Sequence, residues 1–180
     1  MNFCQRVREK KKFLLYLVLA GVVLALDQIS KGAILGAIGE TTQGAGGMED
    51  GIYLTKFLSL VLLWNRGGCF GLMNGLGPIS GLLLTVAIAV AVSLLAVLWR
   101  RSDDPDALCF SLVLGGTLGN AVDRIFHGAV IDFIDFHISQ HHWPSFNVAD
   151  SAISLGIFLY LIHDLLGPGD RAREGGGSAS

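Results

Sequence analysis

Residues 79–99 contain no charged side chain. An α-helix rises about 1.5 Å per residue, so roughly 20 apolar residues cross a hydrocarbon layer about 30 Å thick. The run therefore reads as a membrane-spanning helix. Three further segments pass the same test less cleanly: residues 13–35, residues 107–122, which are short, and residues 149–166, which include Asp150. Composition agrees. Of 180 residues, 52% are hydrophobic and 16% charged, against about 25% charged in an ordinary soluble domain. Disorder is excluded by the same figures, since it needs low hydrophobicity and high charge. A net charge of −2 leaves no electrostatic footprint for nucleic acid, and none is expected as a partner. Cys4, Cys69 and Cys109 form no CxxC pair and are odd in number. That argues against a disulfide framework or a zinc knuckle and for packing as small apolar residues.

The first segment is preceded by Arg6, Arg8, Lys10, Lys11 and Lys12, as a secretory signal peptide would be. No small-x-small cleavage site followed by polar sequence comes after Leu26, so the segment is read as a retained helix. With four crossings and the N-terminus inside, those five residues plus Arg100, Arg101, Arg171 and Arg173 face the cytoplasm. Lys31, Lys56, Arg66 and Arg124 face outward. The excess of basic residues inside fixes this orientation and puts both termini in the cytoplasm.

Two connections then lie outside. Residues 36–77 begin Gly-rich, at Gly44, Gly46 and Gly47, and include an apolar run from Ile52 to Trp64 rich in β-formers and interrupted by Lys56. It reads as strands of a small sheet at the outer surface rather than a fifth span. Residues 128–136 (GAVIDFIDF) read as a helix lying in the interface, which would put Asp132 and Asp135 on one polar face. The expected fold is thus an α-helical membrane protein, with four transmembrane helices and, on the outer face, a small β-sheet and an interfacial helix. It forms a single domain over residues 1–167, with residues 168–180 a disordered tail.

Acidic side chains in or near a membrane are costly and are functional candidates by default. Asp123, Asp132, Asp135 and Asp150 fall at the outer ends of the third and fourth segments and Asp27 at that of the first. Bundling brings them to one depth. Gly115 and Gly119 permit close helix approach. Asn120 needs polar partners and suits tying a loop or helix in place. Asp123-Arg124 reads first as a structural ion pair. Asn147 suits a helix N-cap with Asp150 three residues on, as in a capping box, and the helix terminus favours an ionised Asp150. Asp132, flanked by Ile131 and Phe133, suits a drier setting that raises a carboxyl pKa. Two carboxyls sharing one proton could perform aspartic hydrolysis, the charged one activating water and the protonated one polarising the carbonyl. Composition and spacing do not separate Asp132 from Asp135 in this role. His137 and His141, spaced i, i+4, could form a metal site but lack the glutamate of HExxH. Asn65-Arg66-Gly67-Gly68 suggests a turn or a backbone that closely approaches a ligand.

In chain order, Asp27-Gln28 with Lys31, Asn65-Arg66-Gly67 with Phe70-Gly71, Gly119-Asn120-Ala121-Val122-Asp123-Arg124, Val130-Ile131-Asp132-Phe133 and Phe146-Asn147-Val148-Ala149-Asp150-Ser151 resemble the motifs of lipoprotein signal peptidase, or signal peptidase II. The resemblance covers residues 13–166. It implies a bacterial inner-membrane aspartic endopeptidase that cleaves prolipoproteins just before the diacylglyceryl-modified lipobox cysteine. Its partners would be those substrates and membrane lipids, with no cofactor and no metal. The family's catalytic pair falls on Asp132 and Asp150. Asp27, Lys31, Asn65, Asn120, Asp123, Arg124 and Asn147 fall on supporting or substrate-binding positions. Gly68-Cys69 and the Gly-rich stretch depart from the family pattern, and residues 137–145 receive no role from it.

Three other readings compete. A proton-coupled transporter would want acids near the bilayer centre and broken helices there. A metallohydrolase would use His137 and His141. A noncatalytic scaffold would tolerate loss of both aspartates.

Overall fold

The computed structural model describes residues 3–39, 51–66, 104–139 and 141–166. The expected span at 79–99, the Gly-rich stretch at 44–47, the glycines that follow Arg66 and the tail after Leu166 lie outside the described residues. The elements are α1 (Phe3–Gly39), β1 (Ile52–Tyr53), β2 (Leu58–Asn65), α2 (Asp104–His127), β3 (Val130–Ile138), β4 (His141–His142) and α3 (Val148–Leu166). The first, third and fourth apolar segments are therefore helices, and α1 and α2 run past both ends of the apolar stretches that foretold them. Within α1 the stretch Lys11–Gly39, and the whole of α3, are long and apolar enough to cross a membrane. Leu14, Leu15 and Ile29 on α1 and Leu165 and Leu166 on α3 turn outward, as a lipid-facing helix requires.

The helices meet where glycine removes the side chain. Helix α2 packs against both α1 and α3. A Cβ on Gly115 would lie 2.6 Å from the Ala20 carbonyl oxygen, and one on Gly119 2.5 Å from the Asp27 carboxylate. At Gly116 the obstacle is the Ala149 carbonyl of α3. The close approach inferred from Gly115 and Gly119 is thus real on the α1 side, and Gly116 supplies it on the α3 side.

The interfacial helix expected over residues 128–136 is not formed there: Val130–Ile138 is a strand. The cause is local. Gly128 adopts φ +68° and its N–H bonds the Arg124 carbonyl at 3.0 Å, which closes α2 in a left-handed cap. The residues that follow are β-branched and aromatic in alternation with acids, a composition that fits a pleated surface better than a helix. Asp132 and Asp135, which a helix would put on one face, are turned to opposite faces by the two-residue strand period.

The sheet has the order β1-β2-β3-β4, antiparallel throughout. Strands β1 and β2 come from the Ile52–Trp64 run as expected. The other two strands come from the second connection, where the sequence predicts an interfacial helix. Leu63 pairs with Asp132 and Asn65 with Val130, after a bulge between Leu60 and Leu63. Ile34 and Ile38 of α1 pack with Leu62, Ile131 and Phe133 into a buried cluster that seats the sheet on the end of α1. That cluster sets the height of β3, and hence of Asp132, relative to the helix ends.

Candidate active site

The site begins at the N-terminus of α3. The first amides of any helix lack intrahelical partners. Asn147 Oδ1 accepts the Asp150 N–H at 2.9 Å, and Asp150 Oδ2 accepts the Asn147 N–H at 3.3 Å, closing the capping box foreseen from sequence. The Ala149 N–H donates to Asp27 Oδ1 of α1 at 2.9 Å. Capping therefore fixes the position of Asp150 and ties α3 to α1.

Below the cap lies a buried charge group. Lys31, only 1% exposed, places its ammonium 2.7 Å from Asp27 and 2.7 Å from Asp123. Asp123 also accepts Gln28 Nε2 at 2.9 Å and the Ile131 N–H at 3.1 Å, the latter anchoring the start of β3. The expected partner of Asp123 was its neighbour Arg124; the ion pair found is with Lys31. A helix points consecutive residues about 100° apart, so Asp123 turns into the bundle while Arg124 lines a cavity. Arg124 Nη1 donates to the Asn120 carbonyl at 3.4 Å.

Asn120 links this group to the carboxylates. Its side-chain oxygen accepts from Lys31 Nζ at 3.2 Å and from Asn147 Nδ2 at 3.1 Å, and its Nδ2 donates to Asp150 Oδ1 at 2.8 Å. Asn147 Nδ2 also donates to Asp132 Oδ1 at 2.9 Å, while Asn65 Nδ2 reaches Asp132 Oδ2 at 2.9 Å from the end of β2. Asp132 and Asp150 are thus held by one amide network, with Asn147 bonded to both.

The two carboxylates open onto one cavity of about 390 Å³, which Asn65, Asn120, Arg124 and Trp143 also line. Burial pushes the Asp132 carboxyl up from 3.8 to about 6. The Asn65 hydrogen bond opposes that shift, the Asp150 charge adds to it, and Asn147 and Lys31 oppose it less. A carboxyl that keeps its proton up to about pH 6 beside a second carboxylate is able to polarise a carbonyl while its neighbour takes a proton from water.

Of the positions singled out from sequence, Asp27, Lys31, Asn65, Asn120, Asp123, Arg124, Asp132, Asn147 and Asp150 are brought into this one assembly. Asp135 is not. It faces away from the cavity and receives His142 Nδ1 at 2.9 Å. The histidine that joins His137 beside Asp135 is His142, not His141, which i, i+4 spacing pairs with His137. Gln28 and the cavity wall formed by Trp143, Pro144 and Ser145 were given no role from sequence. The polarity of Gln28, one residue from Asp27 and three from Lys31 on an apolar helix, was the available signal.

The sequence model of the family described as Signal peptidase (SPase) II matches residues 19–166. A lipoprotein signal peptidase of Xanthomonas campestris pv. campestris (strain 8004) is 36% identical over 176 residues, covering 94% of this chain and 98% of its own. The lipoprotein signal peptidase of Thermodesulfovibrio yellowstonii is 39% identical, covering 80% of this chain and 90% of its own. That of Burkholderia thailandensis is 40% identical, with 81% and 83% covered. A solved bacterial membrane enzyme superposes with a TM-score of 0.70 at 26% identity, over 86% of this chain and 94% of that one. A second superposes at 0.64 and 25% identity, over 92% and 94%.

Proposed function

The chain belongs to the signal peptidase II family and removes signal peptides from prolipoproteins, and we propose that it does so as an aspartic endopeptidase with Asp132 and Asp150 as its catalytic pair. The observation that carries this reading is their shared cavity, with Asn147 bonded to both carboxyls. Cleavage falls just before the diacylglyceryl-modified cysteine.

In the resting pair one proton is shared, with Asp132 as its holder. Asp132 donates a hydrogen bond to the scissile carbonyl oxygen. The Asp150 carboxylate takes a proton from a water whose oxygen attacks the carbonyl carbon. As the tetrahedral intermediate collapses, the C–N bond breaks and the departing nitrogen takes up a proton from the pair. Arg124 and Asn65, on the cavity wall, hold the substrate backbone or its lipid-linked end. Asp27, Lys31, Asn120, Asp123 and Asn147 keep the two carboxyls in place. The substrate's signal helix lies in the membrane and its diacylglyceryl group in the outer leaflet, so the scissile bond is delivered to the pair with much of its positional freedom already spent.

The membrane arrangement is part of the same proposal: a single peptidase domain over residues 1–167, four crossings, both termini cytoplasmic, and the site near the outer face of the bacterial inner membrane, in contact with its lipids. Neither a cofactor nor a metal ion takes part in the cleavage step.

The test is cleavage of a diacylglyceryl-modified lipobox substrate by the purified protein in detergent with EDTA present. Asp132→Asn and Asp150→Asn should each lose cleavage by about 10²–10⁴-fold or more, the range of a positioned acid or base. Asp135→Asn should retain it to within about tenfold, since that carboxylate lies outside the cavity. Retained cleavage in either of the first two removes that residue from the pair.

A further inference from the structure

On the far side of β3 from the cavity, three side chains with metal-ligating atoms meet. Asp135 and His137 lie two residues apart on the same strand face, and both are buried. Strand β4 returns antiparallel and sets His142 directly opposite His137. Their rings stack with centroids 5.1 Å apart and an angle of 27°. His142 Nδ1 lies 3.0 and 2.9 Å from the two oxygens of Asp135. His137 Nδ1 lies 3.3 Å from Asp135 Oδ2, without the alignment of a hydrogen bond, and that nitrogen is buried with no hydrogen-bond partner among the described residues. One ligand atom from each of the three residues falls within 4.8 Å of the other two.

We propose that Asp135, His137 and His142 form a binding site for a divalent transition-metal cation of the zinc class, which clamps the β3–β4 hairpin. The proposal is independent of whether Asp132 and Asp150 perform the cleavage. Metal–ligand bonds of about 2.0–2.2 Å in a tetrahedron place ligand atoms about 3.4 Å apart. Two of the separations here, 2.9 and 3.3 Å, are already close to that value. The unsatisfied His137 nitrogen points into the cluster, and leaving a buried ring nitrogen without a partner is unfavourable. A cation at the centre would be its partner. Two imidazole nitrogens and one carboxylate select the zinc class over magnesium or calcium, which prefer oxygen ligands alone. The His142 side chain is 31% exposed, so the site has a path to solvent and room for a water as fourth ligand.

The position gives the site its consequence. His142 is followed at once by Trp143, Pro144 and Ser145, which wall the cavity, and then by Phe146, whose backbone bridges to Ile134 of β3. A metal that joins His142 to Asp135 and His137 fixes the start of that wall from behind. The cation would restrain the segment past which substrate reaches the pair, without touching the reacting atoms. His141, paired with Ile138, belongs to the opposite face of the hairpin and serves as an internal control.

The experiment uses the full chain without a histidine tag, purified in detergent and stripped with EDTA. Zinc is titrated by calorimetry, and cobalt uptake is followed through its visible absorption. One equivalent should bind, cobalt should give the intense spectrum of low-coordinate nitrogen and oxygen ligation, and zinc should displace it. Asp135→Asn, His137→Gln and His142→Gln should each weaken binding by at least about tenfold, and His141→Gln should not. Because His142 is partly exposed, its variant tests the site even if the buried variants fold poorly. Zinc should also slow amide hydrogen exchange over residues 141–146 in the wild type and not in His142→Gln. Absence of stoichiometric uptake by the wild type, or equal loss in His141→Gln, overturns the proposal and leaves Asp135 as a hydrogen-bond acceptor that orients His142.

Discussion

The ammonium of Lys31 reaches the side-chain oxygen of Asn120 at 3.2 Å. This contact joins the charge group at the α1–α2 interface to the amide that holds Asp150. Replacing one member of a buried ion pair leaves its partner uncompensated, at a cost of about 3–5 kcal/mol. In Lys31→Met both Asp27 and Asp123 lose their counter-ion. The variant should unfold at markedly lower denaturant concentration in detergent, with a stability loss in that range. Cleavage should fall as well, since Asn120 loses one of the two donors that orient it. A variant as stable as wild type would show that the group contributes nothing to holding the helices together.

A methyl group at residue 119 has nowhere to go. The atom it would meet, Asp27 Oδ2, is committed to Lys31 at 2.7 Å, and Asp27 Oδ1 to the Ala149 N–H. Gly119→Ala must therefore push α1 from α2 or break the tie to the start of α3. Overpacking of this kind costs about 1–3 kcal/mol. The unfolding free energy should drop by that amount, and turnover should fall more than substrate affinity because Asp150 sits one residue after Ala149. Gly32→Ala, on α1 with open space around it among the described residues, is the control and should lower neither.

The parts of this assembly that could be read from sequence are those set by short-range rules. Asn147 and Asp150 satisfy each other's amides across a single helical turn, so the spacing alone identified the cap. Convergence of Asp27, Asp123 and Asp150 followed from their positions on the helices, whereas Asp132 joins them from strand β3 and Asp135 does not join them. What escaped were choices settled by partners distant in sequence. Asp123 could pair with adjacent Arg124 on paper, but only the packing of α1 brings Lys31 to it. Asp132 and Asp135 could not be told apart while residues 128–136 were read as a helix. The strand turns them to opposite sides of the sheet, one toward the cavity and one toward His142. Likewise, i, i+4 spacing on a helix favoured His141 beside His137. A two-residue-period hairpin replaces it with His142, the residue opposite in register.

The raised pKa of Asp132 makes two pH dependences. An aspartic pair needs one proton between its carboxyls, and ionisation of both ends the reaction. With Asp132 near 6, kcat/KM should decline above about pH 6 and approach a tenfold loss per unit. The limb belongs to the pair, so Asp150 contributes to its position. For stability the sign is fixed by the folded value lying above the unfolded 3.8. The folded chain then binds the proton more tightly. The contribution is fully present below about pH 4 and is lost as pH rises through about 6. A shift of this size corresponds to at most about 3 kcal/mol. Measured as the difference between wild type and Asp132→Asn, unfolding free energy should fall over that window and level off above it. A flat difference would place the titrating group elsewhere.

Asn65 sets where that limb lies. Its Nδ2 donates to Asp132 Oδ2 at 2.9 Å, and this hydrogen bond favours the charged form against the larger effect of burial. Asn65→Ala removes the opposing donor while leaving Asn147 on the other oxygen. The Asp132 pKa should therefore rise further, and the descending limb of kcat/KM should move to higher pH. The shift separates this role from simple loss of a substrate contact, which would lower kcat/KM by one factor at every pH and leave the limb in place. It also separates Asn65 from Asn120, which bonds Asp150 and not Asp132, so that Asn120→Ala should lower turnover without moving the limb in the same direction. Profiles measured for the three proteins on one lipid-modified substrate decide the matter. A limb that stays fixed in Asn65→Ala, or moves toward acid, would mean that the amide does not govern the protonation of the pair.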